Sequence, residues 1–206
     1  MNYEKLVDFY NNYPGFSSMG KLWKNYRNHW IQDVGNYERF LKKGSILILG
    51  CGIGGPVWGW QQKGWDAHGL EISSWAVKNA VTSNIYQGDL KKMDFFKDKQ
   101  FDNVLAFDIL EHIPIDILSI SLGECVRITN KTFLARIPYE LGQPKWAYTL
   151  KEVFMEHMIN QGKEWWEEKL LEFFNLEKWN FFMHEIKDTN WTLFKFNRKK
   201  ENAQIE

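Results

Sequence analysis

Residues 46–55 read Ile-Leu-Ile-Leu-Gly-Cys-Gly-Ile-Gly-Gly, and they constrain the chain more than any other stretch. Four consecutive aliphatics, Ile46 to Leu49, predict a short strand buried on both faces, as in a parallel sheet. The glycines that follow let the backbone turn tightly and approach a ligand. Gly50, Gly52 and Gly54 fit G-x-G-x-G, and Gly50, Gly52 and Gly55 fit G-x-G-x-x-G. Either spacing predicts a nucleotide-type cofactor above a sheet edge.

The segments downstream alternate in the way such a sheet needs. Pro56 suits the first turn of a helix, which Gly64 stops. Residues 65–72 read as a second strand ending near acidic Glu71, and the serines at 73 and 74 can cap the helix after it. Residues 84–90 read as strand then loop, and 101–110 as a strongly apolar strand. Residues 115–128 read as a helix with an apolar stripe, and 131–138 as the next strand. Residues 177–186 and 191–199 flank Lys-Asp-Thr-Asn and read as an antiparallel hairpin. The fold class expected is therefore α/β: a doubly wound seven-stranded sheet, mostly parallel, with a C-terminal antiparallel hairpin and helices on both faces.

Residues 1–42 carry apolar positions at helical spacing, interrupted by Pro14-Gly15, and predict two helices. The domain organisation expected is a helical cap over 1–42, a main domain over 43–198 with a helical insert at about 140–175, and a tail at 199–206.

Charge narrows the partners. Lys and Arg number 26, as do Asp and Glu, which argues against a strong non-specific binder of nucleic acid or membrane surface. The N-terminus lacks a signal-peptide core, and no apolar run approaches the roughly 20 residues of a membrane helix. A soluble cytoplasmic protein is expected, with no nucleic-acid or membrane partner. Cys51 and Cys125 have no metal-ligand spacing, so neither a metal nor a disulfide is expected.

Two carboxylates sharpen the cofactor. A ribose diol is recognised well by a carboxylate accepting two hydrogen bonds, and Glu71 follows Gly50 by about the length of a helix and a strand. Asp89, expected to end the third strand, offers an acceptor to an adenine amino group. With these motifs in this order, residues 44–140 resemble the class I S-adenosylmethionine-dependent methyltransferases, and the hairpin extends the resemblance to about 198. The resemblance implies that Gly50, Cys51, Gly52 and Gly54 wrap the methionine part of S-adenosylmethionine. It implies Glu71 and Ile72 at the ribose, and Asp89 and Leu90 at the adenine. It also implies Phe107 and Asp108 at the cofactor, within a fourth motif spanning 101–113, of which Leu-Glu-His at 110–112 is a common form. One position departs from the pattern: Ile48 stands where many members carry an acid.

Methyl transfer is an in-line displacement at an activated sulfonium, so the protein must mainly align the acceptor. A general base is needed only where the acceptor loses a proton. His112, Arg136, Tyr139 and His157 are the candidates on the acceptor side, and Tyr13, Tyr26 and His29 are candidates for a lid contacting the substrate. The aromatics Trp58, Phe107 and Tyr13 are candidate neighbours of the sulfonium cation. The function expected is methyl transfer to an O, N or C atom of a small-molecule or sugar-type acceptor. A nicotinamide-dependent oxidoreductase and a non-catalytic cofactor-binding module stand as alternatives.

Overall fold

The side chains of Ile46 to Leu49 alternate between two apolar layers, which is why the run contains no polar residue. Leu47 and Leu49 join one buried cluster with Val104, Ala106, Leu118 and Phe133. Ile46 and Ile48 join the other with Val57, Trp60, Leu105 and Leu134. This computed structural model describes residues 8, 11–12, 31–138, 157–186 and 191–200.

Seven strands form one sheet: β1 (Ser45–Leu49), β2 (Asp66–Glu71), β3 (Ile85–Gln87), β4 (Phe101–Phe107), β5 (Thr129–Pro138), β6 (Trp179–Glu185) and β7 (Trp191–Arg198). Their order is β3-β2-β1-β4-β5-β7-β6. The pairs from β3 through β5 are parallel, while β7 runs antiparallel to both β5 and β6. Strand order reverses between β1 and β4, the switch point outside which open α/β sheets bind their ligands. The inserted antiparallel β7 separates this sheet from the six-stranded order of dinucleotide-binding dehydrogenases.

Helices packed on the sheet include α1 (Gly55–Gln62), α2 (Ser74–Lys78), α3 (Ile115–Ile128) and α4 (Lys163–Leu171). Pro56 occupies the opening turn of α1, and Gly64, at φ +76°, closes it in the left-handed region. The Ser73 hydroxyl accepts from the Ala76 N–H at 3.2 Å, so the expected cap on α2 is present. In α3 the stripe Ile117, Leu118, Leu122, Cys125 and Ile128 is buried at intervals of one, three and four residues. Each buried aliphatic there contributes about 1.5–3 kcal/mol, enough to override the β-branched content.

Where the flanking segments are described, they pack on the sheet. In α4, Trp166 and Leu170, with Phe174 beyond it, are fully buried against Phe133 and Phe196 of the sheet. Residues 31–37 are helical and lead into a 3-10 turn, Glu38–Phe40. Val34 and Tyr37 are buried against the Ile46 face, and the Trp65 indole N–H donates to Glu38 at 2.9 Å. The earlier N-terminal helix, residues 139–156 and the hairpin turn at 187–190 lie outside the described residues. No described helix is long and apolar enough to cross a membrane.

Candidate active site at the carboxyl edge of the sheet

The glycine loop joins β1 to α1. Gly50, Gly52 and Gly54 have φ of +63°, +57° and +84°, a region that side chains other than glycine enter at a cost. A Cβ on Gly50 would lie 2.6 Å from Ile109 Cδ1. Cys51 turns its thiol into the sheet, where a Cβ on Gly69 would meet Sγ at 2.4 Å. Burial, helped by the Glu71 charge, pushes this thiol well above its ordinary range, so it is not a nucleophile.

Glu71 ends β2 and is buried beside that loop. Its Oε2 accepts from the Gly52 N–H at 2.8 Å and its Oε1 from the Ser73 N–H at 2.9 Å. Burial raises its carboxyl above the ordinary range, and bonds from the Ser73, Gly52 and Ile72 amides partly offset this. Of the four lone-pair sites of the carboxylate, these three amides leave one for a hydroxyl. Next door, the Gly88 N–H donates to the Glu71 carbonyl at 3.0 Å, tying the chain after β3 to the end of β2. Asp89 lies two residues beyond β3, in a bridged turn, rather than at the strand end; its Oδ1 accepts from the Lys91 N–H at 3.0 Å. Leu90 packs against the core below.

Residues 47–132 match the family model described as a methyltransferase domain. The matched stretch is a methyltransferase domain. Solved structures agree on the fold. A methyltransferase from Archaeoglobus fulgidus superimposes with a TM-score of 0.66 at 14% identity, covering 84% of this chain and 94% of its own. Magnesium protoporphyrin IX methyltransferase from Synechocystis, solved with bound S-adenosylhomocysteine, gives 0.63 at 14%, covering 96% and 100%. A structure concerned with converting a disulfide into a thioacetal during echinomycin biosynthesis gives 0.63 at 15%, covering 82% and 81%. No curated protein sequence matches the chain.

On the other side of the switch point, Phe107 ends β4 and Asp108 follows with φ +52°. That backbone turn aims Asp108 at Arg136 of β5, which grips it through Nε at 3.2 Å and through Nη2. Arg136 Nη1 donates to the Tyr37 hydroxyl at 2.9 Å and lies 3.8 Å from Asp33. Its guanidinium stands 4.7 Å over the Trp191 ring and 5.1 Å over Phe107. Arg136, expected among the catalytic residues, is thus occupied within the chain: it ties β4, β5, β7 and the 31–37 helix together. Asp108, expected at the cofactor, is its counter-ion.

The chain then makes a 3-10 turn, Leu110–His112, and all three residues are buried. Residues 157–160 cover it, with the Ile159 N–H donating to the Glu111 carbonyl at 3.0 Å. His157 thereby stands edge-on to His112, ring centroids 4.9 Å apart. Burial lowers the His157 imidazole, and the Asp108 charge partly restores it. Burial also pushes the Glu111 carboxyl well above its ordinary range. The structure thus brings His112 and His157 together. Tyr139, Tyr13, Tyr26 and His29 lie outside the described residues.

Glu111 lies in the Leu-Glu-His triplet but was given no role from the sequence, and Tyr37, Asp33 and Trp191 were not singled out. For Asp33 and Tyr37 the signal was their i, i+4 spacing, which puts both on one helix face.

Proposed function

We propose that the protein transfers the methyl group of S-adenosylmethionine to an O, N or C atom of a small-molecule acceptor seated beside His112 and His157. In this reading Gly50, Gly52 and Gly54 let the loop backbone approach the methionine part of the cofactor. Glu71 and the Ile72 backbone take the ribose, and Asp89 and Leu90 take the adenine. The cofactor supplies an activated methyl when bound. The chain's own residues orient it, exclude water and hold the acceptor.

The observation that carries the reading is a contact. Ile109, which leads into the 110–112 turn, fills the space a side chain on Gly50 would occupy. The glycine loop and the His112–His157 pair are therefore neighbours at one sheet edge, as in-line transfer requires. With no cation bound, either imidazole can take a proton from an acceptor that must lose one. Asn11, whose Oδ1 accepts from the Ser74 N–H at 2.9 Å, brings the N-terminal segment to the same edge and supports its role as a cover. The named relatives for magnesium protoporphyrin IX and echinomycin biosynthesis support a small-molecule acceptor. The balanced charge supports a cytoplasmic enzyme without a nucleic-acid substrate.

Thermal unfolding with S-adenosylmethionine, S-adenosylhomocysteine and NAD(H) in parallel tests the cofactor half. A ligand at a hundred times its Kd stabilises by about 2.7 kcal/mol. Labelled methyl transfer across a panel of hydroxylated, amine and sugar acceptors tests the other half. Transfer only to macromolecules would sink the small-molecule reading.

A further inference from the structure

Glu111 is 1% exposed, and its Oε2 has no hydrogen-bond partner among the described residues. A buried carboxylate is retained where it is hydrogen-bonded, paired or bound to a metal, and is otherwise costly. Its surroundings offer the third solution. Glu111 Oε1 lies 3.8 Å from His112 Nε2. One ring nitrogen each from His112 and His157 and a Glu111 carboxylate oxygen all lie within 4.8 Å of one another.

We propose that Glu111, His112 and His157 bind one divalent transition-metal cation, of which Zn²⁺ is the type. Two imidazoles and a carboxylate form the donor set of zinc centres that keep a coordination position open. Harder cations such as Mg²⁺ prefer oxygen ligands and retained waters, and this set offers a single carboxylate. With metal–ligand bonds of about 2.0–2.2 Å, tetrahedral donors stand roughly 3.4 Å apart, so the cluster contracts by about 1 Å on loading. Glu111 and His112 are fixed on one short turn. His157, half-buried in the covering segment, supplies the contraction by rotating about its side-chain bonds.

The site departs from the sequence expectation of no metal because its ligands come from separate segments and form no spaced motif. The inference rests on the acceptor-side reading only for its purpose: an open position there is where an acceptor oxygen or nitrogen could bind. Cation binding is measured without that reading.

The full chain, stripped with a chelator, is titrated with Zn²⁺ against a chromophoric competitor, and with Co²⁺ followed by visible absorption. One saturable equivalent, with Co²⁺ bands of low coordination number, is expected. Glu111→Gln, His112→Ala and His157→Ala should each weaken Zn²⁺ binding about tenfold or more, while S-adenosylhomocysteine affinity on the same samples reports that the fold is kept. Absence of saturable binding by the wild-type chain overturns the proposal, as does undiminished binding by all three variants. Should Glu111→Gln fail to fold, the half-buried His157→Ala variant and the wild-type Co²⁺ spectrum decide. Zn²⁺ binding without methyl transfer to any small molecule would leave the cation site standing and remove the acceptor proposal.

Discussion

Arg136 holds both carboxylate oxygens of Asp108, so a single guanidinium fork ties the end of β5 to the end of β4. Burial works against the charge on Arg136, but Asp108 and Tyr37 more than compensate and hold its basicity above the ordinary arginine value. The left-handed backbone of Asp108 is the local cost of that aim.

Asp108→Asn keeps the shape and removes the charge. The pair is neither fully buried nor fully exposed, with side-chain exposures of 13% for Arg136 and 35% for Asp108. A loss of about 2 kcal/mol is expected, between the values for surface and buried pairs. Urea unfolding measures it. An unchanged midpoint would show that Asp33 takes over the guanidinium.

Gly50→Ala should destabilise the protein even without ligand. The new methyl meets Ile109 Cδ1 at 2.6 Å in a backbone region hostile to side chains. Strain and overpacking together cost about 2–4 kcal/mol. Differential scanning calorimetry of the ligand-free variant checks this; wild-type melting would mean that Ile109 moves aside freely.

Glu71→Ala should weaken S-adenosylhomocysteine binding by about tenfold or more, because it removes the ribose acceptor and strands the Gly52 and Ser73 amides. The ionised carboxyl is the accepting form. Its folded value lies above the ordinary 4.5, so binding should weaken on acidification starting above pH 4.5. The linked stability has the opposite sense. This group's contribution is fully present below its unfolded value and is lost as pH rises through the raised folded value. Calorimetric titration with S-adenosylhomocysteine between neutral and mildly acid pH follows the binding arm, and a flat profile would take Glu71 out of the ribose site.

His157→Ala should lower kcat far more than it changes cofactor affinity, since the ring faces His112 and not the glycine loop. Steady-state kinetics with the best acceptor, set beside the Kd for S-adenosylhomocysteine, separates the two. Equal losses in both would return His157 to a purely structural role.

The features that could be read from sequence are those written locally. Four aliphatics before a glycine cluster gave β1 and its loop, Ser73 gave a cap, and two aromatic runs around a polar turn gave the closing hairpin. The features that escaped depend on distant segments meeting. Glu111 looks like a surface acid until residues 157–160 cross over it. Arg136 looks like a free cation until Asp33, Tyr37 and Trp191 arrive from both ends of the chain. The inward face of α4 is hard to read from sequence because its two adjacent tryptophans blur the apolar stripe. Only the sheet shows that Trp166 points to the core.

The cradle around Gly50 also bears on how such a chain would age over a lineage. Ile109 excludes a side chain at 50, and Ile85 and Thr82 crowd one at 54. A descendant that abandoned methyl transfer would still be held to glycine at both positions by its own neighbours. His157, set in a loop and free of any such backbone demand, would be among the first residues to change. Among relatives of this fold, histidine at that position is therefore a better marker of surviving chemistry than the glycine loop itself.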